Sequence, residues 1–298
     1  MRHLSKIVLL GMAAACIAGC EPNQTIKNIW KDTKAYYREY LNTPAVLEMH
    51  DTGDYKDYML HLGAGMAALD TPLNQLLRVM DDSDRGPDNA WAMAQLRRFP
   101  WLSGLAVIDG EGNELARVPD YSLKDFDATL LLEADPKQRR SELRAYVQQS
   151  GLGPEIYVGK PVYMGDELKA LVVAHFDMRA LLAHNRGAAH LVIATPQVML
   201  WPGLYDIEQT PLVGVDWEKT VLGNSSGTLS NSHGSFQWVS SYFANLPIIY
   251  AIASSGDFST STEQLEMLDY ADAFAVPNIN IAPPAPQDDS SLGEFLDE

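Results

Sequence analysis

The chain has 298 residues, 46% hydrophobic and 20% charged, with 39 acidic residues against 22 basic ones and a formal charge of −17. That excess of negative charge excludes nucleic acid as a partner and disfavours binding to anionic membrane surfaces, since both select Lys- and Arg-rich faces. There are two cysteines, Cys16 and Cys20, so a disulfide framework is not the basis of this fold.

At the N-terminus, Arg2 and Lys6 flank a nearly all-apolar run from Ile7 to Ala18, which is too short to span a membrane stably. The run closes on Ile17-Ala18-Gly19-Cys20, which resembles the bacterial lipobox, an aliphatic and two small residues before a cysteine that receives diacylglycerol. The resemblance implies that residues 1–19 are a removable signal peptide and that Cys20 becomes the acylated, palmitate-bearing N-terminus. Removal of nineteen residues from 298 leaves 279, and the loss of Arg2 and Lys6 takes the charge from −17 to −19. The mature chain contains no second apolar stretch long enough to cross a bilayer, so the lipid is its expected membrane anchor. By analogy with lipoprotein sorting, Glu21 is not the Asp that favours inner-membrane retention. The expected location is the cell envelope facing the periplasm, with the outer membrane favoured.

The mature length is enough for two modest domains. Residues 20–54 read as a tether and a leading helix over 24–42, ended by Pro44. From Tyr55, the residues Met59, Leu62, Met66, Leu69, Leu73, Leu76, Leu77 and Met80 recur at helical spacing and predict a long amphipathic helix with a packing stripe. The polar break Asp81 to Asp88 follows, and Asn89 is placed to cap a short helix through Arg97 and Arg98. The period then changes. Leu102 to Ile108 reads as a strand, Asp109 to Asn113 as a tight turn, and Glu114 to Val118 as the returning strand. Residues 137–149 are a charged helix candidate. Ile156 to Tyr163 and Leu168 to Phe176 are strands of a second hairpin, and Asp177 is placed to cap a helix from Met178 to His184. Residues 55–187 thus form one α+β module.

The pattern begins again over 188–256. His190 to Thr195 and Gln197 to Trp201 read as short strands, Asp216 to Leu222 as a helical or loop piece, and Gly234 to Phe243 with Pro247 to Ser254 as a hairpin. This is a degenerate repeat of the architecture without sequence identity between the halves. Ser261-Thr262-Glu263-Gln264 resembles a capping box that opens a last helix to about Ala275. The remainder of 257–298 is proline-rich, acidic and poor in core formers, which predicts a disordered tail.

A long leading helix, then FPWLSGLAVIDGEGNELARVP, then GPEIYVGKPVYMGDELKALVVAHFDMRAL, resembles the membrane-distal module of the double Cache family, the PAS-like extracytoplasmic sensor domains of chemoreceptors and histidine kinases. The resemblance implies an α+β fold of two PAS-like Cache modules with antiparallel sheets of about five strands, preceded by long N-terminal helices. It also implies a small-molecule pocket between sheet and loops of the distal module. Family members that bind amino acids use an Arg and aromatic residues on a helix, a Tyr on the following strand and an Asp near the end of the last strand. On these positions fall Arg144 and Tyr146, then Tyr157, then His175 in place of the Asp. His175 is a poor acceptor for an ammonium, so the resemblance implies a carboxylate or another anion as ligand. Double Cache sensors normally sit between two membrane-spanning helices. Here a lipid stands in for the first, so output requires a partner protein in the envelope.

Gly223-Asn224-Ser225-Ser226-Gly227 matches the G-x-S-x-G pattern, but turn formers follow Ser225 and no Asp lies between it and the only later histidine, His233. Asp109-x-Glu111-x-Asn113 imitates the start of a calcium loop, with Glu114 in place of the required Gly and Asp120 in place of the final Glu. The histidines show no zinc-binding spacing, and there is no Gly-rich phosphate loop. No metal or cofactor is expected. The leading expectation is a non-enzymatic, lipid-anchored, ligand-binding sensor-type protein. The alternatives are a structural or assembly lipoprotein of the same fold without a ligand and, third, a serine hydrolase built on Ser225.

Overall fold

Apolar residues at helical spacing set the first element of the computed structural model, which describes residues 55–82, 88–133, 142–260 and 263–270. Helix α1 (Asp57–Asp81) buries Leu62, Leu69, Leu73, Leu76 and Met80 along one face, matching the predicted stripe. It runs on through Pro72, although that residue has no N–H to donate. Helix α2 (Asn89–Arg98) starts one residue earlier than expected in its capping: the Asp88 carboxylate, not the Asn89 side chain, accepts from the Trp91 N–H at 2.6 Å. The lipobox at Cys20, the leading helix over 24–42 and the proline-rich tail all lie outside the described residues.

Five strands follow: β1 (Gly104–Asp109), β2 (Glu114–Val118), β3 (Arg144–Gln148), β4 (Glu155–Met164) and β5 (Glu167–Phe176). They form one antiparallel sheet in the order β2-β1-β5-β4-β3. The helix expected over 137–149 is not found where the structure describes that segment. Residues 144–148 are edge strand β3, because Leu143, Ala145 and Val147 alternate toward the apolar core while β4 supplies backbone partners. Cross-strand packing decides such a short segment against its charged, helix-like composition. Asp177 caps helix α3 (Met178–His184) as predicted, accepting from the Arg179 N–H at 2.8 Å.

The second sheet contains β6 (Val192–Ala194), β7 (Met199–Trp201), β8 (Ser226–Ser230), β9 (Gly234–Phe243) and β10 (Leu246–Gly256), with helix α4 (Trp217–Gly223) before β8. Its order, β7-β6-β10-β9-β8, repeats the first sheet with each strand replaced by its counterpart five strands later. The fold is therefore α+β with two five-stranded antiparallel sheets, and the repeat read from the sequence is a repeat of topology. Strand β8 stands where the turn formers after Ser225 predict a loop. Its Ser and Gly residues are poor strand formers, and it pairs through one edge only, with β9. Helix α5 covers Glu263–Asp269; the capping residues Ser261 and Thr262 and the continuation to Ala275 lie outside the described residues.

Helix α1 is shared by both sheets. Leu69 and Leu76 belong to one buried cluster with Leu105, Ile156, Val172 and Phe176 of the first sheet and Ile193, Tyr250 and Ile252 of the second. Two polar contacts tie these layers together. The Tyr250 hydroxyl donates to Asp70 Oδ1 at 2.6 Å, and the Asn245 side-chain oxygen in the β9–β10 turn accepts from the Ala145 N–H of edge strand β3 at 2.6 Å. Among the described residues, no helix is long and apolar enough to cross a membrane.

Two outcomes follow from this packing. Leu76→Ala should cost about 2–5 kcal/mol, read as a lower urea midpoint at unchanged m-value, because the deleted atoms leave a cavity between α1 and both sheets. His190, packed edge-on against His61 of α1, has its pKa lowered from 6.5, first by burial and then by repulsion from His61. The folded chain therefore binds fewer protons there than the unfolded chain. The associated stability is present above pH 6.5 and lost as pH falls through the lowered folded value. His190→Gln should show a shallower fall in Tm between neutral and acid pH than the natural chain, and parallel curves would exclude this assignment.

Candidate functional site

Strand alternation sorts the first sheet into two faces, one against α1 and the other under the segment 119–133. On the second face, Tyr146, Tyr157, His175 and Gly104 form a row across β3, β4, β5 and β1. Arg144, Gly159, Val173, Ala106 and Arg117 form the next row, which extends to β2. In the first row, Tyr146 and Tyr157 stack at 5.1 Å between ring centroids and Tyr157 and His175 at 5.3 Å, with interplanar angles of 16° and 12°. Phe126, from the overlying segment, closes the stack edge-on over His175 at 5.3 Å. Two glycines make the arrangement possible. A Cβ on Gly104 would stand 2.7 Å from His175 Nε2, and one on Gly159 would stand 2.8 Å from Leu131, where the segment comes down onto the sheet.

Side-chain donors from the sheet hold this segment by its backbone carbonyls. Arg117 donates to Asp120 O at 3.3 Å, Tyr157 to Asp125 O at 3.3 Å, Tyr146 to Asp127 O, and Arg144 to Leu131 O at 2.9 Å. Burial is the first cause that raises the pKa of both Tyr146 and Tyr157, and nearby acidic groups add to it, so both phenols stay protonated donors at neutral pH. Asp127 is held below the usual carboxylate range by hydrogen bonds from the side chain and backbone of Thr129, which turn its carboxylate into the start of the 3-10 turn Thr129–Leu131.

At one end of this face lies a buried cluster of charges. Lys124 of the segment places its ammonium 2.9 Å from Glu155 Oε2 and 2.8 Å from Pro154 O, and pairs with Asp177 Oδ2. Asp177 also accepts from Arg179 Nη2 at 2.6 Å, and Glu155 Oε1 lies 2.8 Å from His175 Nδ1. Asp177 is 0% exposed, Glu155 2% and Lys124 7%, so the cluster is withdrawn from water. A carboxylate offers acceptors, which places the donated proton on His175 Nδ1.

All four residues singled out from the sequence, Arg144, Tyr146, Tyr157 and His175, lie on this one face. Arg144 and Tyr146 reach it from strand β3 rather than from a helix. Arg144 Nη1 and Nη2 are engaged, with Leu131 O and with the Tyr163 hydroxyl at 3.2 Å. Sequence reasoning missed Lys124, Glu155, Phe126 and Arg179, and saw Asp177 only as a cap. A charged residue at the boundary of an apolar strand was the available signal for Glu155 and Asp177. Nothing local marks Lys124, whose partners lie 31 and 53 residues away.

The other chemistries separate in space. The Ser225 carbonyl accepts from the Ser240 N–H at one end of the β8–β9 hairpin, and His233 lies in the turn at the other end. At the rise of a strand, that is roughly 20 Å. The Asp109 carboxylate accepts from the Glu111 and Asn113 N–H groups and from the Asn113 side chain, so hairpin geometry accounts for it. Burial opposes its ionisation, but these bonds prevail and lower its pKa. Among the described residues, no group of three or more His, Cys, Asp or Glu could hold a metal ion. On the opposite face of the sheet, an apolar crevice lies between α2 and β1–β2, lined by Trp91, Leu105, Val107 and Val118.

No family model matches the chain, and no curated protein matches it. Among solved structures, it is similar to a domain of a sensory box/GGDEF family protein from Vibrio parahaemolyticus, at 15% identity and a TM-score of 0.47 over 70% of this chain and 96% of that one. It is also similar to the ligand-binding domain of the Pseudomonas fluorescens chemoreceptor CtaA in complex with L-leucine, at 11% identity and a TM-score of 0.42 over 66% and 94%. The sensor domain of the V. cholerae histidine kinase DctB matches at 12% identity and 0.39 over 66% and 96%. These likenesses transfer no residue role and no ligand to this chain.

The packing of the aromatic row is testable. Gly104→Ala should push the His175 ring off Tyr157 and cost about 1–3 kcal/mol through overpacking, read by urea unfolding together with weakened near-UV dichroism of the tyrosine stack. A variant with natural stability and spectrum would mean that the row is not packed this way.

Proposed function

We propose that this chain is a lipid-anchored, envelope-facing sensor-type protein, not an enzyme, that binds a small molecule between the first sheet and the segment 119–133 and passes its state to a partner protein. The observation that carries the reading is the convergence of Arg144, Tyr146, Tyr157 and His175 with Lys124, Glu155 and Asp177 on one buried face. Buried ion pairs are a costly way to fill a core, and dense groups of buried ionisable side chains are characteristic of functional sites. The cover is a single segment, held by side-chain hydrogen bonds and the Lys124 ion pairs and also by Ala128 and Leu131, which pack with Tyr157, Leu171 and Val173 in a buried apolar cluster. Anchorage through Cys20 in a Cache-like two-module arrangement, 55–187 and 188–256, belongs to the same reading. Such an anchor requires that any signal leave through a contacting protein.

A second reading, a structural or assembly lipoprotein without a ligand, has its own support. Tyr157 is only 1% exposed, and the carbonyls of the chain's own segment engage the Tyr146, Tyr157 and Arg144 donors. Thermal unfolding against organic acids, amines and amino acids separates the two. A ligand that binds only the folded chain raises Tm by mass action, by an amount that grows with the logarithm of its concentration. On the sensor reading, at least one compound raises Tm at millimolar concentration and the shift is lost in Tyr157→Ala. A library without effect on the natural chain would support the structural reading instead.

A further inference from the structure

We propose that the free edge of strand β8 is an interaction surface for a second copy of this chain, and that two β8 strands pair antiparallel about a two-fold axis at Thr228. The inference goes beyond the ligand-binding reading and does not depend on it. The two sheets leave four outer edges among the described strands, and three of them are blunted in ordinary ways. β2 carries Glu114 and Arg117, β3 has its Ala145 N–H taken by the Asn245 side chain, and β7 is only three residues long. β8, Ser226-Gly227-Thr228-Leu229-Ser230, has neither charge nor proline, and its register with β9 runs without a shift from the Ser226–Val239 pair to the Ser230–Ser235 pair.

The hydrogen bonds show which groups this edge presents. The Ser225 carbonyl accepts from the Ser240 N–H at 2.8 Å, and the Asn231 N–H donates to the Gly234 carbonyl at 2.9 Å. In an antiparallel ladder the N–H and C=O of one residue point the same way and alternate along the strand, so Gly227 and Leu229 also face β9. Ser226, Thr228 and Ser230 therefore turn theirs to the open side, where no described strand lies. Their side chains are already set: Thr228 donates to Gln237 Oε1 and the Ser230 hydroxyl meets that of Ser235, both at 2.8 Å. A two-fold axis at Thr228 sets Thr228 opposite its own copy and Ser226 opposite Ser230. The three resulting pairs each exchange two main-chain hydrogen bonds, and no like charges meet.

Charge selects the occupant. The chain carries −17, yet residues 220–256, which include β8, β9 and β10, hold no Asp, Glu, Lys or Arg in a sequence that is 20% charged. A basic partner would seek the acidic faces, whereas a molecule of the same sign can approach only where charge is absent. A second copy is such a molecule. Leu222, 85% exposed on α4 just before β8, adds apolar surface, and the two-fold carries it toward the β8–β9 turn of the second copy. Pairing of two such short strands is small beside the roughly 1,200 Å² that a stable interface buries, so this dimer is reversible and controlled by concentration.

Cysteine cross-linking of the full chain reads the register. Directly opposed residues in such a ladder stand about 5.5 Å apart at Cα, within disulfide reach, whereas Ser226 and its own copy stand roughly 14 Å apart. Positions 226, 228 and 230 are exposed, so substitutions there leave the core unchanged. Oxidised with copper phenanthroline, Thr228→Cys should give a covalent dimer at several times the yield of Ser226→Cys or Ser230→Cys, and Ser226→Cys/Ser230→Cys together should recover it. The natural chain, treated alike, gives the background from Cys16 and Cys20. Adding Ser226→Lys and Ser230→Lys to Thr228→Cys faces like charges across both outer pairs and should cut the yield about tenfold, whereas Ser226→Lys with Ser230→Glu should restore it. Equal yields at the three positions, or none above background, overturn the proposal. A cross-link from Thr228→Cys to a different protein overturns it too, because the edge would then serve another partner. A ligand library without effect leaves these results standing, so the two readings fail separately.

Discussion

The ion pair between Lys124 and the two carboxylates of Glu155 and Asp177 joins the covering segment to the sheet at a place where neither could stand alone. Two carboxylates withdrawn from water at adjoining strand ends would repel each other and lack hydration, and a buried ammonium without acceptors would fare no better. Brought together, each removes the reason the other would be unstable. The remaining contacts of the segment then fall into register along the face: Arg117, Tyr157, Tyr146 and Arg144 meet its carbonyls in chain order, and Leu131 packs over Gly159. Breaking such a pair by removing one partner typically costs about 3–5 kcal/mol, a large part of the stability of an ordinary domain.

The other face of the same sheet follows a different logic. There, α1 presents Leu69, Leu73 and Leu76 to apolar residues of both sheets, and the interaction is non-directional burial. The two sheets share a strand order without sharing residues, and only one of them carries the charge cluster. The corresponding part of the second sheet is filled by Phe236, Trp238, Phe258 and Trp217, an aromatic core with no buried ion pair among the described residues. One architecture thus supports an apolar filling in one half and, in the other, an apolar cluster around Leu131, Tyr157, Leu171 and Val173 bordered by buried ion pairs. This difference places the candidate site in the first sheet.

Elements with strong periodicity were legible from the residues. α1 came from its leucine and methionine stripe, the β1–β2 hairpin from the Asp109 to Asn113 turn, and α3 from the Asp177 cap. The elements that were misread are short edge strands. β3 has a charged, helix-like composition and β8 is built of Ser, Gly and Thr, and both are strands because a neighbouring strand offers hydrogen bonds. Edge strands gain little from their own propensity, so context decides them. The candidate site divides in the same manner. Tyr157 and His175 could be named from an apolar strand pattern and a family likeness, but their alignment in one stacked row with Tyr146 depends on the register between three strands.

By itself, the sequence determined the α+β character, the repeated arrangement of strands and the hydrophobic stripe of the long helix. These depend on local spacing, which a single chain displays in one dimension. Only the tertiary structure decided which face of the first sheet is charged and what lies over it, and that Lys124 meets Glu155 and Asp177 there. Lys124 reaches carboxylates 31 and 53 residues further along the chain, and no periodicity records a contact of that kind. Its identity as a partner comes from burial: once folding removes water from Glu155 and Asp177, the nearest ammonium becomes the group that must answer them.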